Sequence, residues 1–469
     1  MGRSIGISPL KTHGAHWPWA MDLHHAQIVA QLWIDRLTTR LGAGSIVRGR
    51  PGLGWLLTEC IPVLMWAQVT GALFGESFYL VTYLTLLGAS TASLALLPLV
   101  AYAGNFGSAL VVFARHGTAA GRDAKYRCVF DTGLGRVFWL GTILWPWAGI
   151  TWGWSSTVIL SGVFISIFLA QLSHSAGGSA FVVWTQALVP RAVRGKFWMW
   201  RNCVSFAVTA VVVLLMGVIL PKGTQADATH LPWLMGIFGV MTLICIASTW
   251  MLAQCPDMPE HLKETPRPPL RLAMRQARGY GPLLIFNVLT LAATAISMAY
   301  LPTLLHDRGV GTAAFAAAQG STFFPAMLGG ILLAGWSLTH LGGQRLRVMT
   351  ATLLLATDGA FLCLPDVTWL GPCMALSGIA KGMWGIALIG RQQELCPAGD
   401  ARFPALLVGC GALGAMLIAG GMRLGVPVLE SHVAHVAWTL MAVAAAFRGA
   451  ALAVIAITGG PRSLSEIKT

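Results

Sequence analysis

Runs of about twenty apolar residues recur along this chain, and few architectures accommodate so many of them. Wound as a helix, such a run matches the hydrocarbon thickness of a bilayer. Inside a bilayer the backbone must satisfy its own hydrogen bonds, so repeated runs specify a bundle of spanning helices. Twelve runs are read, at 61–87, 92–113, 129–150, 157–187, 203–221 and 231–253, then 282–304, 312–338, 346–364, 367–392, 403–425 and 436–458. Of 469 residues, 56% are apolar and 10% charged, where a soluble globular chain carries about 25% charge. That excludes an ordinary soluble enzyme, and the hydrophobicity excludes disorder. The predicted fold class is an all-α polytopic membrane protein with 12 transmembrane helices.

Charge sets the orientation. Placing the N-terminus inside puts 24 of the 31 Lys and Arg residues in cytoplasmic segments and leaves Lys222, Arg308 and Arg423 outside. The positive-inside rule therefore predicts both termini in the cytoplasm, with the protein multi-pass in the inner (cytoplasmic) membrane. The same rule accounts for the +14 net charge without a nucleic-acid partner. The predicted division is a cytoplasmic tail 1–54, a first half 55–254, a charged, Pro-rich cytoplasmic linker 255–281, a second half 282–458 and a tail 459–469. Within the first tail, 17–41 has helical periodicity, with Trp19, Leu23, Ile28, Leu32 and Ile34 among polar residues. It reads either as an interfacial amphipathic helix or as a helix packed on the bundle's cytoplasmic ends. The first strongly apolar run begins too late for a secretory signal. The nine cysteines form no CxxC pair or zinc-like cluster and read as packing residues. No metal site and no cofactor are predicted.

The two halves echo each other. After the fourth run stands TQALVPRAVRGKFWMWRN, with Gln186 four residues before Pro190; after the tenth stands RQQELCPAGDARFPALL, with Gln393 four residues before Pro397. Lys196-Phe197 and Arg402-Phe403 follow at a one-residue offset. Two six-helix pseudo-repeats are the pattern of one large class of transporters.

At these residues the sequence resembles the major facilitator superfamily. GWSLTHLGGQRLRV (335–348) lines up with the signature G-x-x-x-D-R-x-G-R-R. Gly335 and Gly342 match it, while Thr339 and His340 stand where the signature has Asp and Arg. PRAVRGKFWMWRN (190–202), with Arg194, Gly195 and Arg201, is similar to the P-x-x-x-R-G-x-F-x-x-R-N loop of bacterial members, and ESFYLVTYLTLLGAS (76–90) to the end of their first helix. The loop after the second run, 114–128, lacks the signature's acidic–basic core. The resemblance implies a gating role for these loops and a central cavity lined by the first, fourth, seventh and tenth helices.

A charge at bilayer depth costs at least about 2.5–3.5 kcal/mol on insertion scales, so it faces a cavity or a partner. Glu76 stands alone in the first run, Lys381 near the middle of the tenth, His174 near the middle of the fourth beside Gln171 and Ser175, and Asn287 in the seventh with Ser297 and Tyr300. These four are the candidate substrate- or proton-binding residues. Glu76 is read as a proton-titrating or cation-binding carboxylate, and Lys381 as its partner or an anchor for an anionic substrate. Asp131 and Arg136 are expected to neutralise each other, and Arg448 and Asp358 to make supporting contacts. No P-loop, HExxH or GxSxG is present. The leading functional reading is a secondary active transporter moving a small-molecule substrate by alternating access, proton-coupled because Glu76 and His174 can titrate. The other is a transporter-like protein serving as assembly factor or partner in a membrane complex. Membrane lipids are expected partners in both.

Overall fold

The computed structural model describes residues 32, 34–36, 38–47, 52–71, 78–94, 96–116, 123–219, 230–259, 269–277, 279–310, 317–364, 366–397, 399–430 and 435–458. Among these, every regular element is helical. Leu53–Thr58 and Cys60–Thr70 run on through the helical Glu59 as α1. Phe78–Leu86 is α2, Leu96–Ala114 α3, Ala124–Trp139 α4, Gly141–Trp152 α5, Ser156–Leu188 α6, Arg191–Ile219 α7 and Leu231–Ala253 α8. Tyr280–Asp307 is α9, Phe324–His340 α10, Gly343–Leu362 α11, Leu370–Leu395 α12, Arg402–Glu430 α13 and Val436–Thr458 α14. Nine helices among the described residues are long and apolar enough to cross a membrane.

Two boundaries differ from the sequence reading for local reasons. The run expected to start at 61 begins its helix at Leu53, eight residues earlier, and α1 stops at Gly71, whose φ of 72° takes the chain out of the right-handed helix. The run at 129–150 is two helices meeting at Leu140. Helix α6 ends at Leu188 because Val189 precedes Pro190 and is extended (ψ 111°); Cys396, before Pro397, ends α12 in the same way (ψ 130°). With 33 residues, α6 is about 50 Å long, more than a bilayer's hydrocarbon depth.

Of the segment 17–41, the described part packs on the bundle. Ile34 lies against the cluster containing Leu53, Leu56 and Trp198, and Thr38 is buried. Asp35 accepts from the backbone N–H groups of Gly52 (3.4 Å) and Gly54 (3.2 Å), tying this segment to the start of α1. Residues 1–31 lie outside the described residues, as does the tail 459–469.

Helices up to α8 pack chiefly among themselves, α6 lying against α3 and α4, and α1 against α7 and α8. From α9 on, α9 packs on α13 and α14, and α12 on α10 and α11. The two sets meet where α3 lies on α13 and α7 on α10. Small residues permit those approaches: a Cβ on Gly409 of α13 would sit 2.6 Å from the Cβ of Ala109 on α3.

Candidate functional site

Helix α6 places polar side chains where the two sets meet. His174, Ser175, Gly178, Ser179 and Val182 line one wall of a cavity of about 210 Å³; Gln392 of α12 and Pro404 and Val408 of α13 line the other. Ser175 donates a short hydrogen bond to Asn105 Oδ1 on α3. The His174 ring lies 6.0 Å from that of Trp66, and its buried Nδ1 has no hydrogen-bond partner among the described residues. His174 thus lines the cavity, while its Nδ1 is itself fully buried. The close approach of α4 fixes this face of α6: a Cβ on Gly135 would sit 2.9 Å from the backbone nitrogen of His174.

The charged groups around α1 form a second constellation, with Glu59 and Arg136 buried and Arg201 partly exposed. Arg136 Nη2 donates to Glu59 Oε1 at 2.7 Å, and Arg201 approaches the other carboxylate oxygen at 3.5 Å. Arg136 Nη1 also donates to the Cys245 carbonyl and to the hydroxyls of Ser248 and Thr249, so α1, α4, α7 and α8 are joined at one point. Arg201 lies over the Phe181 and Trp198 rings, at 4.8 and 5.5 Å. Glu59 escapes a reading that begins the first span at 61; its signal is an acidic residue flanked on both sides by apolar helical residues. The expected Asp131–Arg136 pair does not form. Five residues apart on a helix, the two side chains point about 140° from each other. Asp131 is met instead by Arg115 (2.8 Å) and by Arg127 one turn back (3.6 Å).

Glu76 lies outside the described residues. Lys381 Nζ sits 5.4 Å from the Phe323 ring, within electrostatic reach of Asp358. Asp358 in turn pairs with Arg448 at 2.6 Å, across α11 and α14. Asn287 is buried, and its amide donates to the Leu407 carbonyl at 2.9 Å, joining α9 to α13. Of the four candidates, then, His174 faces the described cavity, while Lys381 and Asn287 engage groups of their own helix set. Among the described residues no group of three or more His, Cys, Asp or Glu is placed to hold a metal ion.

The sequence matches no family profile and no curated protein. Solved structures do match. A bacterial homologue of the iron transporter ferroportin, outward-facing with soaked iron, has 14% identity and a TM-score of 0.59, covering 86% of this chain and 99% of its own. The major facilitator superfamily proton:xylose symporter XylE, bound to 6-bromo-6-deoxy-D-glucose, has 14% identity and a TM-score of 0.61 over 86% of this chain and 94% of its own. The major facilitator transporter FucP in its outward conformation has 14% identity and a TM-score of 0.57 over 86% and 98%. This chain has the major facilitator superfamily fold. It is a multi-pass membrane protein.

Within that fold, the signature-like loops take up defined contacts. Gly195 of α7 and Gly335 of α10 face each other's helices: a Cβ on Gly195 would meet Leu338 at 2.8 Å, and one on Gly335 would meet Met199 at 2.4 Å. The two glycines thus set the α7–α10 approach. Gly342 turns the chain into α11 with φ 83° and ψ 161°. His340 stacks on Trp336 with ring centroids 5.2 Å apart, and its Nδ1 lies 2.9 Å from the Trp336 carbonyl. The side chain of Thr339 lies outside the described residues. Arg194 donates to the Gln186 and Val189 carbonyls at the end of α6, and Arg201 belongs to the Glu59 constellation.

Proposed function

We propose that this major facilitator protein is a secondary active transporter that carries a small solute by alternating access, driven by a proton gradient. In this reading all twelve runs cross the inner membrane, six in 55–254 and six in 282–458, with 255–281 and both termini in the cytoplasm. The observation that carries it is the cavity between the two helix sets, with His174 on one wall and Gln392 on the other. A solute held there touches both sets, so rocking one against the other transfers it across the bilayer. His174 and Glu76 are the groups proposed to exchange the proton, and Lys381 an anchor for an anionic substrate. Asn287, already committed to Leu407, holds the frame around them.

The test is uptake into proteoliposomes under an imposed pH gradient. Two of the structurally similar proteins, a proton:xylose symporter and a homologue of an iron transporter, make D-xylose and iron the first probes of a wider panel. Gradient-driven accumulation of one solute, uncoupled from pH in Glu76→Gln and lost in His174→Ala, is the expected result. Intact coupling in Glu76→Gln removes that residue from the role. The second reading, a partner subunit or assembly factor in a membrane complex, is favoured by Thr339 and His340 standing where the signature has Asp and Arg. It predicts no solute movement and stoichiometric co-purification with another membrane protein under mild detergent.

A further inference from the structure

The repeated loops meet in space. Gln186 stands two residues before the end of α6, and Gln393 two before the end of α12. Four residues on from each is a proline, which has no N–H, so the carbonyls of Gln186 and Gln393 both lose their helical donor. Arg194 supplies one to the Gln186 carbonyl at 3.0 Å. The corresponding carbonyl on the other helix is served from across the interface: Gln186 Nε2 donates to the Gln393 carbonyl at 2.7 Å and to the Cys396 carbonyl at 2.9 Å. Gln393 returns the contact, its Nε2 donating to Thr185 Oγ1 at 3.0 Å and to the Val182 carbonyl at 3.3 Å. Its own Oε1 accepts from Trp198 Nε1 at 2.9 Å, and its side chain is buried.

We propose that Gln186 and Gln393 form an uncharged clasp, reciprocal across the two helix sets, that closes one end of the central cavity and must part for the cavity to open on that side. Val182 and Gln392, which line the cavity, are the immediate neighbours of the clasp, so separating the two helix ends opens the cavity itself. The donors matter more than the size. Glutamate is nearly isosteric, yet it presents lone pairs where a carbonyl oxygen already sits. With no formal charge across the seam, salt has little to screen. The clasp rests on the alternating-access reading, but its test needs no substrate.

Cys396 is a native reporter, its carbonyl held by Gln186 and its thiol buried beside Tyr280, Phe403 and Leu407 of its own helix set, and Cys363 is an exposed internal reference. Full-length protein in detergent is treated with a hydrophilic maleimide, and each cysteine's rate is read by peptide mass spectrometry. Wild type should modify Cys396 far more slowly than Cys363, with less than about a twofold change between low and high salt. Gln186→Glu and Gln393→Glu should each raise the Cys396 rate about tenfold, the scale set by losing two hydrogen bonds. Gln186→Met, which removes the donor without adding charge, should act in the same direction and covers the case of a poorly folding Glu variant. Gln344→Glu is the control: Gln344 donates to the Ile455 carbonyl at 2.9 Å within the second helix set, so its loss should leave Cys396 protected. Unchanged Cys396 reactivity in all three clasp variants overturns the proposal, as does an equal rise in Gln344→Glu. A strong salt dependence in wild type overturns its uncharged character. If the clasp behaves as proposed while proteoliposomes move no solute, the transport reading fails and the clasp stands.

Discussion

The buried charges among the described residues are read most directly at the residue scale, because each lies beside an opposite charge. Arg448 and Asp358 are both almost fully buried and 2.6 Å apart, and Arg448 also donates to the Leu354 carbonyl at 3.0 Å. Removing one member of such a pair leaves an uncompensated charge and costs about 3–5 kcal/mol. Arg448→Met should therefore lower the thermal unfolding temperature markedly in detergent. Arg448→Met with Asp358→Leu should recover most of the loss, because no charge is then stranded. Lys381 is tested in the same cycle. Lys381→Met alone should insert and fold, one partly buried charge being removed while Asp358 keeps Arg448, and should retune or abolish solute binding. In the Arg448→Met background it should cost more than it does alone, by a coupling of about 0.5–3 kcal/mol. Strict additivity of the two substitutions would leave Lys381 with no part in holding Asp358. Normal folding with wild-type transport in Lys381→Met would end its role as a substrate anchor.

At the scale of elements, the turn into α11 rests on one backbone conformation. Gly342 has φ 83° and ψ 161°, a region open to glycine and strained for any residue with a Cβ, at a cost of about 1–3 kcal/mol. Gly342→Ala should lower the unfolding temperature, although nothing lies within 4 Å of the new methyl group. Gly371→Ala, equally open but helical in α12, should be neutral or stabilising. The comparison of the two variants by thermal unfolding isolates the backbone term. Helices of this kind were legible in the sequence because apolar length and Pro190 or Pro397 stops act locally. The interruption at Gly71 was not, since a glycine inside an apolar run reads equally well as part of a helix. Partner choice was hidden wherever the acceptor is a backbone carbonyl. Asn287 looks like a cavity residue in the sequence, and its partner, the Leu407 oxygen, carries no side-chain signature. The 207-residue spacing of Gln186 and Gln393 was visible, but that the two loops touch depends on how the helix sets close on each other.

At the scale of the whole molecule, the seam between the helix sets decides what can move. It is made of α3 against α13 and α7 against α10, with glycines at the nearest approaches, and the clasp adds hydrogen bonds at one end. The two contacts differ: at α7–α10 the Leu338 and Met199 side chains seat over Gly195 and Gly335, whereas at α3–α13 Gly409 faces only the Ala109 methyl group, so the helices approach closely there without a long side chain between them. Filling the seam should act on the two sets jointly. Gly409 on α13 is the sharpest place for it, since its apposed atom is the Ala109 Cβ at 2.6 Å, which cannot swing aside as a long side chain does. Gly409→Leu should cost about 1–3 kcal/mol by overpacking, even though leucine favours the helix itself. Gly420→Leu, on the same helix with nothing within 4 Å, gains the same helix propensity and should leave the unfolding temperature unchanged or raised. In the transport assay Gly409→Leu should also slow turnover, because the wedge holds α13 off α3. Hydrogen exchange should show the change along both α3 and α13, not α13 alone. If Gly409→Leu matches Gly420→Leu in stability and exchange, the α3–α13 contact is not a close-packed seam, and the rocking surface must lie along α7 and α10.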